Sequence, residues 1–400
     1  MPSRREILAL TAAVTGGALL RPLAVLADAA TDKRFVLIIL RGGLDGLAAV
    51  PPYGDREYRS LRGALALPEP GTENGILDID GRFGVHPALK TFHAMMKNGE
   101  ALAVHAVATP YRERSHFDAQ DLLENGTERA RAAADGWLNR ALALMGGSRR
   151  LGLAVGQAIP LALRGTVPVA SWVPTEGPSL DPDFVTRIQA LYRRDPLIGA
   201  AFAEGIKAHE FSAAALGADD SMAPGGRKVR GPGAFKPLAE AAGRLLAAED
   251  GPRIAVLELS GWDTHSQQGG RLPAVLGALD AGLAGLAQTL GPAWSKTVVV
   301  AVTEFGRTAA PNGTGGTDHG TAGVALMAGG AVAGGRVVAD WPGLSAGALY
   351  QGRDLAPTTD LRSVLKGVLR AHLSLRDDAL SQRVFPGSAE AKPADGIIRT

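Results

Sequence analysis

Short apolar runs rich in Val, Ile and Leu recur along this chain, and they restrict it more than any other feature. They are Arg34 to Leu40 (RFVLIIL), Ala101 to Ala108 (ALAVHAVA), Leu151 to Val155, Arg253 to Ser260 (RIAVLELS), Thr297 to Thr303 (TVVVAVT) and Val324 to Met327. A strand with one wet face alternates apolar and polar residues, whereas a strand covered on both faces reads as a continuous apolar run. Between the runs lie helical patterns at 88–98, 115–125, 137–145, 184–192, 235–248, 272–290 and 360–372. Strands alternating with helices predict an α/β fold, a doubly wound, mostly parallel sheet with helices on both faces. No repeat at a solenoid period is present.

Composition narrows the chemistry. Of 400 residues, 46% are hydrophobic, enough to fill the core of one large domain. Cysteine is absent, which excludes disulfides, thiolate metal sites and cysteine nucleophiles. Lys plus Arg number 42 against 40 Asp plus Glu, a formal charge of +2. That balance lacks the basic excess needed to neutralise phosphates, so no nucleic-acid partner is expected.

The N-terminus places Arg4-Arg5 ahead of a weakly apolar stretch, Ala9 to Leu26, diluted by Thr11, Thr15, Gly16, Gly17 and Arg21. This resembles a twin-arginine export signal, and Ala27-Asp28-Ala29 supplies small residues for cleavage. The competing reading is an amphipathic helix or membrane anchor, but the run is too interrupted to span ~20 residues of bilayer comfortably, and no other stretch approaches that length. The expected organisation is therefore a signal peptide over 1–30, an α/β domain over 31–385 with a cap or insertion near 200–233, and a polar tail over 386–400. The twin-arginine machinery would be a partner, the location periplasmic or extracellular, and no stable membrane span would remain after cleavage.

Ligands of open α/β sheets bind beyond the carboxyl ends of the strands. There the sequence places Asp45 in Arg41-Gly-Gly-Leu-Asp-Gly46, Asp263 and His265 in Gly261-Trp-Asp-Thr-His265, Glu304 in Thr303-Glu-Phe-Gly-Arg-Thr308, and Asp318 with His319 in a glycine-rich loop. Carboxylates and imidazoles without sulfur suit Zn, Mn or Fe(II) better than a calcium cage, so one or two divalent ions are expected. Each residue has a plainer alternative. Asp45 could cap a helix, Asp263 and His265 could bond each other, and Glu304 could pair with Arg307.

Ser115 opens a helix after the second run, and Ser115 with Asp118 has the spacing of a capping box. Alternatively its hydroxyl, beside free N–H groups at a helix start, is a metal-activated nucleophile with His116 as a second contact. His105 reads as a core residue, His93, His209 and His372 as packing or surface positions, and His86 as a helix-start cap. No Gly-x-Ser-x-Gly elbow and no dinucleotide fingerprint is present.

The paired arginines, LRGGLDGL, RSHFDAQ, GWDTH, TEFGRT and GTDHGTAG together resemble the DUF1501 family of exported proteins, from the leader to about residue 375. That family is similar to the alkaline phosphatase and sulfatase superfamily, which implies a doubly wound sheet, two metal ions and a nucleophile at a helix N-terminus. The resemblance implies that Asp45, Asp263, His265, Glu304, Asp318 and His319 are metal ligands and Ser115 the nucleophile. Two departures stand out. The spacing Asp-x-His replaces Asp-x-x-x-His, and Phe305 stands where a histidine is expected, so one metal site is altered or missing. No formylglycine motif surrounds Ser115, which favours phosphoester chemistry, or no chemistry at all, over the sulfatase branch.

The expected function is thus a metal-dependent hydrolase of small anionic phosphate or sulfate esters, with Ser115 and His116 at the reaction and Arg307 and Arg114 neutralising the oxyanion. The alternatives are a non-catalytic export or surface-assembly factor that keeps the fold, and a metal-free serine hydrolase.

Overall fold

A computed structural model describes residues 31–146, 151–174, 182–192, 195–216 and 231–399. The leader at 1–30 and the 217–230 part of the expected insertion lie outside the described residues, while 196–216 form a helix, Pro196–Leu216.

The strands are β1 (Arg34–Arg41), β2 (Leu77–Asp78), β3 (Gly84–Val85), β4 (Ala101–Ala108), β5 (Gly152–Val155), β6 (Ala170–Trp172), β7 (Ile254–Ser260), β8 (Thr297–Thr303), β9 (Gly323–Ala328), β10 (Val337–Val338) and β11 (Thr359–Asp360). One sheet has the order β10-β4-β9-β8-β1-β7-β5-β6 with β11 beside β4, and β2 and β3 form a separate hairpin. Pairing is parallel except along β9, which runs antiparallel to both β4 and β8. The sheet is mixed and mostly parallel, with helices on both faces.

The apolar runs explain the layering. Successive side chains of a strand point to opposite faces. In β1, Val36, Ile38 and Leu40 join one core while Phe35, Leu37 and Ile39 join the other. The first core is closed by the helices Lys90–Lys97, Phe235–Ala247 and Gln268–Leu290, the second by Trp137–Met145 and Leu361–Leu373.

The helix Gln268–Leu290 buries Leu272, Val275, Leu276, Leu279, Leu283, Leu286 and Leu290, the i, i+3, i+4, i+7 stripe of a core helix. Contrary to the sequence expectation, this segment is long and apolar enough by composition to cross a bilayer. Its apolar stripe is already taken up by the first core. Truncating one of its fully buried leucines, Leu276 or Leu279, costs about 2–5 kcal/mol. Buried Asp280 on the same helix accepts from the N–H groups of Thr91 and Phe92 at 2.9 and 2.8 Å, capping a neighbouring helix whose own N-cap residue, Leu89, cannot. The polar tail returns to the fold, with Ile397 and Ile398 buried in the second core.

Candidate functional site

Strands β7, β1 and β8 lie side by side and end together, with Arg41 opposite Ser260 and Leu40 opposite Thr303. The turns that follow therefore emerge at one rim. Because β9 runs back against β8, the 304–322 connection stays there, and the helix His116–Asn125 starts at the same rim after β4.

The turn after β1 is tightly confined. Gly42 has φ of 125°, and a Cβ there would sit 2.5 Å from the Asp263 nitrogen, so only glycine lets the two strand ends meet. The Gly42 N–H donates to Glu304 Oε1 at 2.9 Å. After β7, Trp262 is fully buried and donates from Nε1 to the Leu259 carbonyl at 2.9 Å, which anchors the backbone that presents Asp263.

Three imidazoles converge on that carboxylate. Asp263 Oδ1 lies 3.0 Å from His265 Nε2, 3.4 Å from His319 Nε2 and 3.7 Å from His116 Nε2, and the two nitrogens of His265 and His319 are 2.9 Å apart. Every ring is held through its other nitrogen. His116 Nδ1 meets Glu304 Oε1 at 2.7 Å, His265 Nδ1 meets Asp318 Oδ1 at 3.1 Å, and His319 Nδ1 meets the Arg114 carbonyl at 2.9 Å. A carbonyl only accepts, so His319 Nδ1 donates to Arg114 and its neutral ring leaves Nε2 a lone pair; His116 Nδ1 and His265 Nδ1 face carboxylates, which favours the same tautomer, although His265 Nε2 also faces the Asp263 carboxylate. His116 Nε2 is buried without a hydrogen-bond partner. His116, Asp263 and His319 offer ligand atoms within 4.8 Å of one another.

The supporting shell is built in depth. Glu304 is buried and accepts from Gly42, from Gln120 Nε2 at 3.0 Å and, on Oε2, from Thr303 Oγ1 at 2.9 Å. Burial alone would raise its carboxyl, but the hydrogen bonds from His116, Gln120 and Thr303 hold it below the usual range. That same Glu304 bond raises His116 against the opposing effect of burial, while burial lowers His319. For Asp263 burial again opposes ionisation, and the Arg307 hydrogen bond and charge outweigh it. Asp318 is held low first by Asn312, which donates at 3.0 Å, and then by His265.

Several expected residues take other places. Asp45 is buried and outside the cluster. Its Oδ2 pairs with Arg62 Nη2 at 2.5 Å and accepts from Gln268 Nε2 at 2.6 Å, and its Oδ1 caps the helix Gly46–Ala49 through the Ala48 N–H. Glu304 and Asp318 face the outer nitrogens of the rings, so they orient and do not converge with Asp263. Arg307 is buried and committed, with Nη1 on Asp263 Oδ1 at 2.8 Å, Nη2 on the Thr317 carbonyl and Nε on Thr317 Oγ1 at 3.2 Å. Arg114 is likewise committed to Asp354 and Gln351. Ser115 stands at the N-cap of its helix but makes no side-chain cap bond, and Asp118 instead faces Arg131 at 3.4 Å. His116 lies in the cluster itself. Phe305 packs against His116 and His319, with ring centroids at 4.7 and 4.9 Å, and fills space beside the cluster.

The sequence reading missed Gln120, Arg62, Gln268 and Asp354. Only Gln120 carried a local signal, being one helical turn after His116 and so on the same face.

Comparison with solved structures gives distant resemblances. Ps i-CgsB in complex with k-i-k-neocarrahexaose shares 10% identity, with 91% of this chain and 77% of that one covered and a TM-score of 0.43. The PsFucS1 sulfatase from Pseudoalteromonas sp. shares 12% identity over 100% of this chain and 78% of that one, TM-score 0.42. A TAB5 alkaline phosphatase mutant with Mg bound shares 10% over 77% and 94%, TM-score 0.36. No curated protein matches the chain. The family model described as "Protein of unknown function (DUF1501)" matches residues 32–384, and the chain belongs to that family.

Proposed function

We propose that His116, Asp263, His265 and His319 hold one divalent metal ion, Zn, Mn or Fe, and that the chain is an exported metal-dependent hydrolase of small phosphate or sulfate esters. The observation that carries this reading is the convergence of three ring nitrogens on one carboxylate oxygen, each ring held by an acceptor at its other nitrogen. Without a cation, the facing lone pairs of His265 and His319 repel unless one ring is protonated. Tetrahedral bonds of about 2.1 Å put ligand atoms about 3.4 Å apart, and the three separations from Asp263 Oδ1 to the rings, 3.0, 3.4 and 3.7 Å, lie around that value. His116, Asp263 and His319 form the compact triad, with ligand atoms all within 4.8 Å, and His265 joins it from the Asp263 and His319 side. A shell of acceptors on the outer nitrogens is what metal-bound histidines require.

The ion would supply Lewis acidity and lower the pKa of a bound hydroxyl or water. The chain's own residues do the rest. Glu304, Asp318 and the Arg114 carbonyl hold the rings in one tautomer, and Arg307 keeps Asp263 ionised. Asp263 and His265 remain nearly half exposed, so a small anionic ester can reach the cluster from solvent. Ser115, next to His116 and free of a capping duty, is the nucleophile or positions the attacking water, and the free N–H groups of the helix start stabilise the oxyanion. The committed Asp45 and the packed Phe305 support one ion, not two.

A metal-free serine hydrolase is less well supported, since no hydrogen bond joins Ser115 Oγ to an imidazole among the described residues. The twin-arginine route and a periplasmic or extracellular location rest on the leader sequence, as does the export machinery as partner.

Elemental analysis of the natively exported protein, with hydrolysis of an aryl phosphate and an aryl sulfate followed before and after chelation, tests the proposal. About one ion per chain and chelator-sensitive turnover are expected. A protein that binds no ion, or that turns over unchanged after chelation, overturns it, and metal without turnover favours the assembly-factor alternative.

A further inference from the structure

Asp354 lies outside every motif that marks the cluster, yet three of its contacts lead to it. Its side chain is fully buried. Oδ2 takes Arg114 Nε at 2.9 Å and Nη2 at 2.8 Å, and also Thr321 Oγ1 at 2.7 Å. Thr321 follows His319 by two residues, and the adjacent Arg353 donates from Nη2 to the His319 carbonyl. Arg114 is in the left-handed region, φ 61°, which a non-glycine residue keeps only where its surroundings over-determine it. The surroundings here are the Asp354 carboxylate, Gln351 Oε1 at 2.7 Å and the Tyr350 ring beneath the guanidinium. From that conformation the Arg114 carbonyl accepts from His319 Nδ1, and the next residue, Ser115, begins the helix that carries His116.

We propose that Asp354 is a positioning residue for the cluster: by pinning Arg114 in the left-handed conformation it aims the Arg114 carbonyl at His319 and fixes the tautomer and place of that ring. The inference rests on the metal reading above for its effect on ion binding, but not for its effect on the ring. Glycine at position 114 would reach the same backbone conformation without a guanidinium and would keep the carbonyl. The buried pair is thus needed only because residue 114 has a side chain.

The test uses the full exported chain with Asp354→Asn, Arg114→Gly and the double variant. In metal-free protein, nitrogen NMR of His319 should show the proton on Nδ1 in the parent, a mixed tautomer in Asp354→Asn, and recovery in the double variant. Zn2+ affinity by calorimetry should fall 10–100-fold in Asp354→Asn and return to within a few-fold of the parent in the double variant. A purely structural role would lower the melting temperature of Asp354→Asn yet leave the tautomer intact, and no rescue would follow. Either result overturns the proposal. If Asp354→Asn fails to fold, Arg114→Gly decides: an unchanged His319 tautomer is expected, and loss of the Nδ1 proton overturns it. A parent that shows the tautomer and its dependence on Asp354 but binds no Zn2+ refutes the metal reading alone.

Discussion

Acid should weaken this fold well before its carboxylates are protonated, and three histidines set the size of the effect. Burial lowers His86, His105 and His372 from 6.5 to about 4 each. Their contacts explain why. His105 Nδ1 accepts from the Ala106 N–H at 2.9 Å while its Nε2 faces the Val50 carbonyl at 3.0 Å, so a second proton would point at a donor. His86 Nδ1 accepts from the Ala88 N–H at 3.0 Å, and His372 Nε2 faces the Arg34 carbonyl at 2.8 Å. The folded state keeps these rings neutral while the unfolded chain binds protons below pH 6.5. Stability is therefore complete above 6.5 and is lost as pH falls from there toward 4. At pH ~5 each ring costs about 2 kcal/mol and the three together about 6, a large part of a typical stability of about 5–15 kcal/mol. Urea unfolding of chelator-treated protein, followed by tryptophan fluorescence near pH 7.5 and pH 5, measures this directly. His105→Gln, which can still donate to Val50, should remove about 2 kcal/mol of the difference. A parent that loses less than about 2 kcal/mol in total, or a variant with the same loss as the parent, refutes the reasoning.

Other perturbations separate the roles within the site. Glu304→Gln leaves His116 Nδ1 without a carboxylate and should weaken metal binding about 10–100-fold by calorimetry, with little change in melting temperature. Asp45→Ala strands the buried Arg62 guanidinium and should cost about 3–5 kcal/mol in urea while leaving metal content intact. His319→Ala should lower bound metal by elemental analysis, whereas Ser115→Ala should keep it. Ser115→Ala should also cut turnover by orders of magnitude if the hydroxyl is the nucleophile, and by less than about tenfold if it only positions water.

The sheet and the rim were legible because both follow from local pattern. Runs such as TVVVAVT announce strands covered on two faces, and the residues after such strands must emerge at one edge. Asp263, His265 and His319 meet for that reason. What could not be read was which atoms face which. Glu304 and Asp318 are as acidic as Asp263, but they reach the outer ring nitrogens, a choice set by backbone direction in the packed rim. Asp45 is withdrawn by Arg62, on a separate short helix, and by Gln268, far along the chain, partners that no spacing rule names. The Ser115–Asp118 spacing suggested a capping box, yet Asp118 turns to Arg131.

The reversal of β9 has a consequence for how such a centre can change. A parallel successor to β8 would have carried the chain through a crossover helix to the opposite edge before returning. Instead, a single hairpin-like excursion brings Asp318 and His319 to the rim and goes straight back into the sheet. The last ring and its orienting carboxylate thus travel as one cassette, so lengthening or exchanging residues 309–316 could retune or abolish the centre while the strands on either side stay in register.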